Sequence, residues 1–316
     1  MTILYITLGV LLFLVAITLL IAYITYYICF HSPDKVQNDI HYIPPDEQTD
    51  ARHDEMIAMI DRFDALPYET VSTTSQDGLK LAARYVHVKD GAPLAICCHG
   101  YRGTSIRDFC GAGFIPYNLG QNLLLIDQRG CRNSEGHTIT FGIKERHDLF
   151  CWIEYALKRF GKDTKIALYG VSMGAATVLL ASGMELPDNI THIIADSPYT
   201  SPREIIEKVC REDMHIPPKL AMPFLFLGAK LFAGININNG NILDAVKRSP
   251  VNILLIHGER DTFVPTEMSR RIAASAPDRI TLYTYPGAGH ALSYITDQPR
   301  YEAIANEYLK TPQRRQ

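Results

Sequence analysis

Ser172 stands at the centre of Gly170-Val171-Ser172-Met173-Gly174. A serine hydroxyl can attack a carbonyl carbon if a neighbouring base takes its proton. Two later segments could complete such a system. His290, in Gly287-Ala288-Gly289-His290, could act as that base. Asp261, in His257-Gly258-Glu259-Arg260-Asp261, could orient the imidazole and stabilise its charged form. The 29 residues from acid to base leave room for one helix and one strand. Asp196 is a rival acid, because it closes an apolar run; Asp261 is preferred by position. His99 and His257 are rival bases, and both are expected to hold loop backbone instead. An acyl-transfer transition state also needs two backbone N–H groups aimed at its oxyanion. Met173, directly after the nucleophile, could give one, and Tyr101 in His99-Gly100-Tyr101-Arg102-Gly103 the other.

These residues need a scaffold that places them at one edge. Ile166–Tyr169 is a short apolar run that reads as a buried strand, and Met173–Met184 reads as a helix. The serine therefore falls on a tight strand-to-helix turn. Glycines at 170 and 174 let the chain pass close there, and the helix N-terminus favours developing negative charge. Leu94–Cys98, Leu123–Ile126, Ile190–Ala195, Val251–His257 and Ile280–Tyr285 also read as strands. Glu69–Thr73 and Leu79–Val88 flank a Gln76-Asp77-Gly78 turn. Helices are expected over 144–160, 266–276 and 299–309. Continuous apolar strands alternating with helices predict a mostly parallel sheet covered on both faces. The alternation breaks once, at about 201–248, where two or three helices are expected as a cap over the site.

Met1 to Pro33 contains no Asp, Glu, Lys or Arg. A bilayer core needs about 20 apolar residues in a helix, so this stretch is long enough to span. It lacks the basic start, shorter apolar core and small-residue cleavage site of a secretory signal. The expectation is a single-pass anchor over 1–33, a juxtamembrane stalk and helix over 34–66, and one catalytic domain over 67–312. Lys35 and Arg52 follow the span and no cation precedes it, which places the catalytic domain on the cytoplasmic side. Apolar residues make up 47%, charged residues 21%, and the net charge is −3, so the composition is globular and no basic stripe points to nucleic acid. The seven cysteines lack metal-ligand spacing and read as reduced, buried thiols. No metal or organic cofactor is expected, since the chemistry needs only water.

Taken together, His99-Gly100-Tyr101-Arg102-Gly103, Asp127-Gln128-Arg129-Gly130 with Ser134-Glu135-Gly136, the turn at Ser172, and the segments bearing Asp261 and His290 resemble the α/β-hydrolase superfamily. The similarity runs from about Tyr68 to Leu309. Within the superfamily it is similar to bacterial membrane-anchored serine hydrolases of the serine aminopeptidase-like group. Cys131-Arg132 departs from the family pattern in a turn expected to be structural. Arg129 and Glu135 are expected to brace that turn. The resemblance implies an α/β-hydrolase fold with a Ser172-His290-Asp261 triad and oxyanion donors at Tyr101 and Met173.

The chemistry expected is hydrolysis of carboxylic esters through a Ser172 acyl-enzyme. The apolar cap segment Ala221–Leu227 is read either as packing onto the sheet or as a pocket or entrance for lipid-like acyl substrates. A peptidase acting on short peptides would use the same machinery, and Glu204, Glu207, Glu212 and Asp213 could grip an amino terminus. A non-enzymatic tethered scaffold is the reading from a different class; it sits poorly with a complete set of triad candidates.

Overall fold

A computed structural model describes residues 1–33 and 39–311. The chain opens with one long helix, α1 (Thr2–Cys29), followed by α2 (Glu47–Asp50) and α3 (His53–Asp64). Strands β1 (Glu69–Thr74), β2 (Lys80–Val86) and β3 (Leu94–Cys98) come next. Two short helices, α4 (Ser105–Phe109) and α5 (Phe114–Asn118), lead to β4 (Asn122–Ile126). Then α6 (Glu145–Phe160), β5 (Ile166–Val171), α7 (Met173–Ser182) and β6 (Ile190–Asp196) alternate. The insertion holds α8 (Pro202–Lys208), α9 (Pro218–Gly228) and α10 (Ile242–Val246), with π-helical turns at Val209–Asp213 and Ala229–Ala233. The chain closes through β7 (Ile253–Gly258), α11 (Thr266–Ser275), β8 (Ile280–Tyr285), α12 (Ser293–Thr296) and α13 (Gln298–Lys310).

The strands form one sheet in the order β1-β2-β4-β3-β5-β6-β7-β8. β2 pairs antiparallel with both β1 and β4, and the remaining pairings are all parallel. The strand alternation splits the core in two. Ile96, Cys98, Leu124, Leu168 and Ile193 face α6, α7 and the cap side. Ala95, Cys97, Leu123, Leu125 and Ile194 face α3, α4, α5 and α13. A strand buried on both faces has no polar side to show, so these strands are apolar throughout rather than alternating. All seven cysteines are unpaired and five are buried, where burial pushes the thiols of Cys97, Cys98 and Cys131 far up and Cys110 up to about 12.

Two segments sit closer to the domain than the sequence suggests. The helix of the stretch read as stalk and helix packs on the domain: Ile60 and Phe63 of α3 are fully buried against the second core, and Arg52 donates to the Ile295 carbonyl. Residues 34–38, including Lys35, lie outside the described part, as does residue 312. The base of α1 is likewise built into the domain. Ala22, Tyr26 and Phe30 are buried while most of the preceding apolar side chains are exposed. Beyond α1, Ser32 donates to the His137 carbonyl and Ile139 to the Phe30 carbonyl, a short antiparallel bridge. Burying one large aromatic such as Phe30 contributes roughly 2–3 kcal/mol.

Candidate active site

Ser172 joins β5 to α7 with φ 54° and ψ −115°. A non-glycine residue held there stores on the order of 1–3 kcal/mol of strain, which surrounding structure must over-determine. The sheet does so. The Ser172 N–H donates to the Asp196 carbonyl at 2.8 Å, fixing the turn on the neighbouring strand. The flanking glycines are required by contact: a Cβ on Gly174 would collide with the Cys98 carbonyl, and one on Gly170 with the Gly174 carbonyl. The turn lifts the Ser172 side chain onto the carboxyl edge of the sheet, above the N-terminus of α7.

Three side chains from separate loops meet at this edge. The His290 Nε2 lies 2.9 Å from Ser172 Oγ, and its Nδ1 lies 2.6 Å from Asp261 Oδ2. A carboxylate only accepts, so Nδ1 carries the proton and Nε2 is left to receive the serine hydroxyl's. Asp261 is fixed on its other side: Oδ1 accepts from the N–H groups of Phe263 at 3.0 Å and Val264 at 2.7 Å. His257 Nε2 stands 3.1 Å from Asp261 Oδ2 and 2.9 Å from the Val264 carbonyl, and its Nδ1 accepts from Ser269 Oγ at 2.7 Å. His257 is thus a buried brace for the acid's loop.

The charges follow from this geometry. Burial works against the His290 imidazolium, but the Asp261 carboxylate outweighs it, helped by Asp196 and Asp108, and the pKa lies above the ordinary value. Burial alone would raise Asp261; the charge of His290 and the hydrogen bonds from both histidines instead hold it well below the usual carboxylate range. Asp261 is therefore an anion at neutral pH, and it favours a proton on His290.

The other residues singled out from the sequence fall into supporting places. Asp196 makes no hydrogen bond to His290. Its Oδ1 accepts from Ser197 Oγ at 2.9 Å, its Oδ2 from the Tyr301 hydroxyl, and Ser197 Oγ in turn accepts from the Ala291 N–H. It steadies the loop that carries His290. His99 is buried, donates from Nδ1 to the Gly100 carbonyl at 2.8 Å, and accepts from the Gln128 N–H at 3.0 Å. Arg129 pairs with Asp148 and Asp77, and Glu135 accepts from the Lys80 N–H.

Met173 is the first residue of α7, where a helix leaves its N–H without an internal acceptor. Gly100 lies so near Ser172 that a Cβ on it would come within 3.3 Å of the serine Cβ, so the Tyr101 loop flanks the serine. The Gly100 N–H donates to Asp108 Oδ2 at 2.7 Å, pinning this loop to α4. The Tyr101 side chain turns away from the site. Its hydroxyl donates to the Cys29 carbonyl at 2.9 Å and its ring stacks on Phe141. Arg102, at φ 50°, reaches the Ile28 and His31 carbonyls at 3.0 and 2.8 Å. The last turn of α1 has carbonyls that no helix can satisfy, and this loop satisfies them.

Three contacts carry no signature in the sequence. Gln48 of α2 accepts from the Gly289 N–H at 2.8 Å, across 241 residues. Phe263 packs edge-on to the His290 ring at 5.1 Å while remaining 42% exposed, so it stands at the mouth. Asp108 adds negative charge near His290. A hollow of about 710 Å³ lined by Tyr68, Glu69, Tyr85 and Arg159 lies at the opposite, amino-terminal edge of the sheet. Its Arg159 is already paired with Glu69 and Tyr155, and none of the three meeting side chains reaches it.

Comparison with known proteins places this architecture. The family model for the alpha/beta hydrolase fold matches residues 93–214. The protein YqkD of Bacillus subtilis is 24% identical over 262 residues, 83% of this chain and 84% of that one. YfhR of Escherichia coli K12 is 25% identical over 228 residues, 70% and 73% of the two chains. Among solved structures, the Pyrococcus furiosus esterase Pf2001 superposes with a TM-score of 0.63 at 22% identity, covering 78% of this chain and 91% of the esterase. The Pyrococcus horikoshii acylaminoacyl peptidase gives 0.58 at 16% identity, over 80% of this chain and 43% of the peptidase. At these identities the structures share a fold, and the fold accommodates both ester and peptide chemistry.

Proposed function

We propose that this chain, whose fold is that of the alpha/beta hydrolases, is a serine hydrolase that cleaves carboxylic esters through a Ser172 acyl-enzyme. The observation that carries this reading is the unbroken relay from Ser172 Oγ through His290 to Asp261, at 2.9 and 2.6 Å. In it, His290 takes the serine proton as Oγ attacks the ester carbonyl. The oxyanion rests between the N–H groups of Tyr101 and Met173. Collapse expels the alcohol, which receives the proton from His290. Water then attacks the acyl-enzyme with the same base, releasing the acid and restoring Ser172. Asp261 stays ionised throughout and stabilises the imidazolium.

Esters are favoured over peptides by the state of the cap's acidic groups. Glu204 pairs with Arg271, Glu207 with Arg203, and Glu212 and Asp213 with Lys208. An amino-terminal clamp needs a carboxylate without a cation already on it. The buried base of α1 supports the reading of a retained anchor, since removing it would strip Ala22, Tyr26 and Phe30 from the core. The catalytic domain would then lie on the cytoplasmic face, on the weight of the flanking cations. The test is hydrolysis of p-nitrophenyl esters against aminoacyl amides, by wild type and Ser172→Ala. Ester turnover that disappears in Ser172→Ala is expected. Amide turnover exceeding ester turnover would move the assignment to a peptidase.

A further inference from the structure

The outer face of the cap carries apolar side chains that the fold does not use. Residues 214–243 contain no Asp or Glu, and their only Lys or Arg residues are Lys219 and Lys230. Helix α9 with its π-helical continuation runs from Pro218 to Ala233. One side of it, with Met222, Leu225 and Ala229, is buried in the core. On the other side Leu220, Phe224, Leu227 and Leu231 follow at i, i+4, i+7 and i+11, one stripe of a helix. Leu220 is 65% exposed and Leu231 51%. The helix is thus docked through one face and still greasy on the other, a pattern a water-facing surface does not need.

This stripe lies beside the apolar N-terminal helix. A Cβ on Gly228 would collide with the Ala22 carbonyl, so the two backbones touch. Phe232, itself 40% exposed, meets the ring of Tyr23 edge-on at 5.2 Å and that of Tyr26 at 5.6 Å. The height of this contact follows from α1. Tyr5 and Tyr23 are 18 residues apart, or roughly 27 Å at 1.5 Å per residue. That is close to the ~30 Å of a hydrocarbon core, and tyrosines favour its two boundaries. On the anchor reading Tyr23 falls close to that boundary, and the cap helix touches α1 there. Cys29, whose carbonyl binds Tyr101, lies six residues further, about 9 Å along the helix and near the outer limit of the headgroup layer.

We propose that the cap helix is a second membrane contact. The stripe Leu220, Phe224, Leu227 and Leu231 beds in the lipid interface beside α1, with Lys219 and Lys230 among the headgroup phosphates. Two contacts fix the orientation where one helix would leave it free, and they hold the Tyr101 loop at headgroup level. The substrate class then follows, resting on the serine-hydrolase reading: long-chain esters that reach Ser172 from the bilayer.

Full-length protein in nanodiscs of phosphatidylcholine and phosphatidylglycerol tests the contact. Trp152, the chain's one tryptophan, is buried in the domain and supplies a constant background. Leu220→Trp and Leu231→Trp are expected to add blue-shifted emission quenched by phospholipids brominated high on their acyl chains. Added emission that is water-like and unquenched overturns the contact. So does unquenched emission with dimer-sized particles, which would give the face to a second copy. The triple variant Leu220→Ser, Leu227→Ser, Leu231→Ser is expected to keep p-nitrophenyl acetate turnover within about twofold while hydrolysis of a vesicle-borne long-chain ester falls about tenfold or more. Equal rates on both substrates overturn the substrate class. A wild type inactive on p-nitrophenyl acetate counts against the hydrolase reading and leaves the quenching result to stand by itself.

Discussion

In the proposed mechanism Ser172 and Tyr101 flank the same reacting position, yet they are held in different ways. Ser172 rests on β5, which is paired with β3 on one side and β6 on the other, and its own N–H is bonded across to Asp196. Asp261 and His290 follow strands of the same sheet, and each is braced by a neighbour: His257 for the acid, the Asp196–Ser197 pair for the base. The Tyr101 loop leans outward. It is tied to carbonyls of α1 through the Tyr101 hydroxyl and the Arg102 guanidinium. One half of the site is therefore positioned by the sheet and the other by a helix apolar enough to cross a membrane. Damage to the first half should be severe and indifferent to the membrane. Damage to the second should be graded.

The largest effect is expected at the base. His290→Ala should lower kcat on a p-nitrophenyl ester by about 10⁴–10⁶ without loss of fold, as measured by kcat beside a thermal melt. Asp261→Asn comes next, at about 10³–10⁴. It carries a pH signature. The proposed reaction needs neutral His290, so the rate is expected to rise as pH passes the His290 pKa, which Asp261 holds above the ordinary ~6.5. Removing the carboxylate withdraws support from the imidazolium, and the acidic limb of kcat/KM should move to lower pH. A limb that stays in place would mean that another group titrates.

Tyr101→Phe sharpens the comparison. It keeps the backbone donor and deletes only the tie to Cys29. A hydrogen bond of about 1–1.4 kcal/mol predicts a five- to tenfold fall in kcat with little change in KM. An unchanged kcat would show that α1 does not hold the loop. The smallest effect is expected for Gln48→Ala, about two- to fivefold in kcat, since Gly289 keeps its place in a loop also held through Ala291.

Much of the sheet side was legible because its signals are local. Apolar runs such as Ile166–Tyr169 and Leu94–Cys98 match β5 and β3 to within two residues. The glycines at 170 and 174 announce a turn that only they can make. The order of Ser172, Asp261 and His290 needs no more than counting strands. The other half was opaque for a physical reason. Tyr101 and Cys29 are 72 residues apart, and Gln48 and Gly289 241, so no periodicity links them. α4 and α5 have five residues each, too short for a helical stripe to show. The π-helical turns of the cap widen a spacing that sequence patterns assume is constant. Ile60 and Phe63 are apolar residues of α3, but nothing local in the sequence names the surface they cover.

The central claim is that Ser172 is a nucleophile activated by His290. Its most direct test is reaction of the full-length protein with a fluorophosphonate probe, followed by mass analysis of the labelled peptide. The expected result is one adduct on Ser172, abolished in Ser172→Ala and slowed by orders of magnitude in His290→Ala. Labelling that persists in Ser172→Ala, or that proceeds at the wild-type rate without His290, would contradict it.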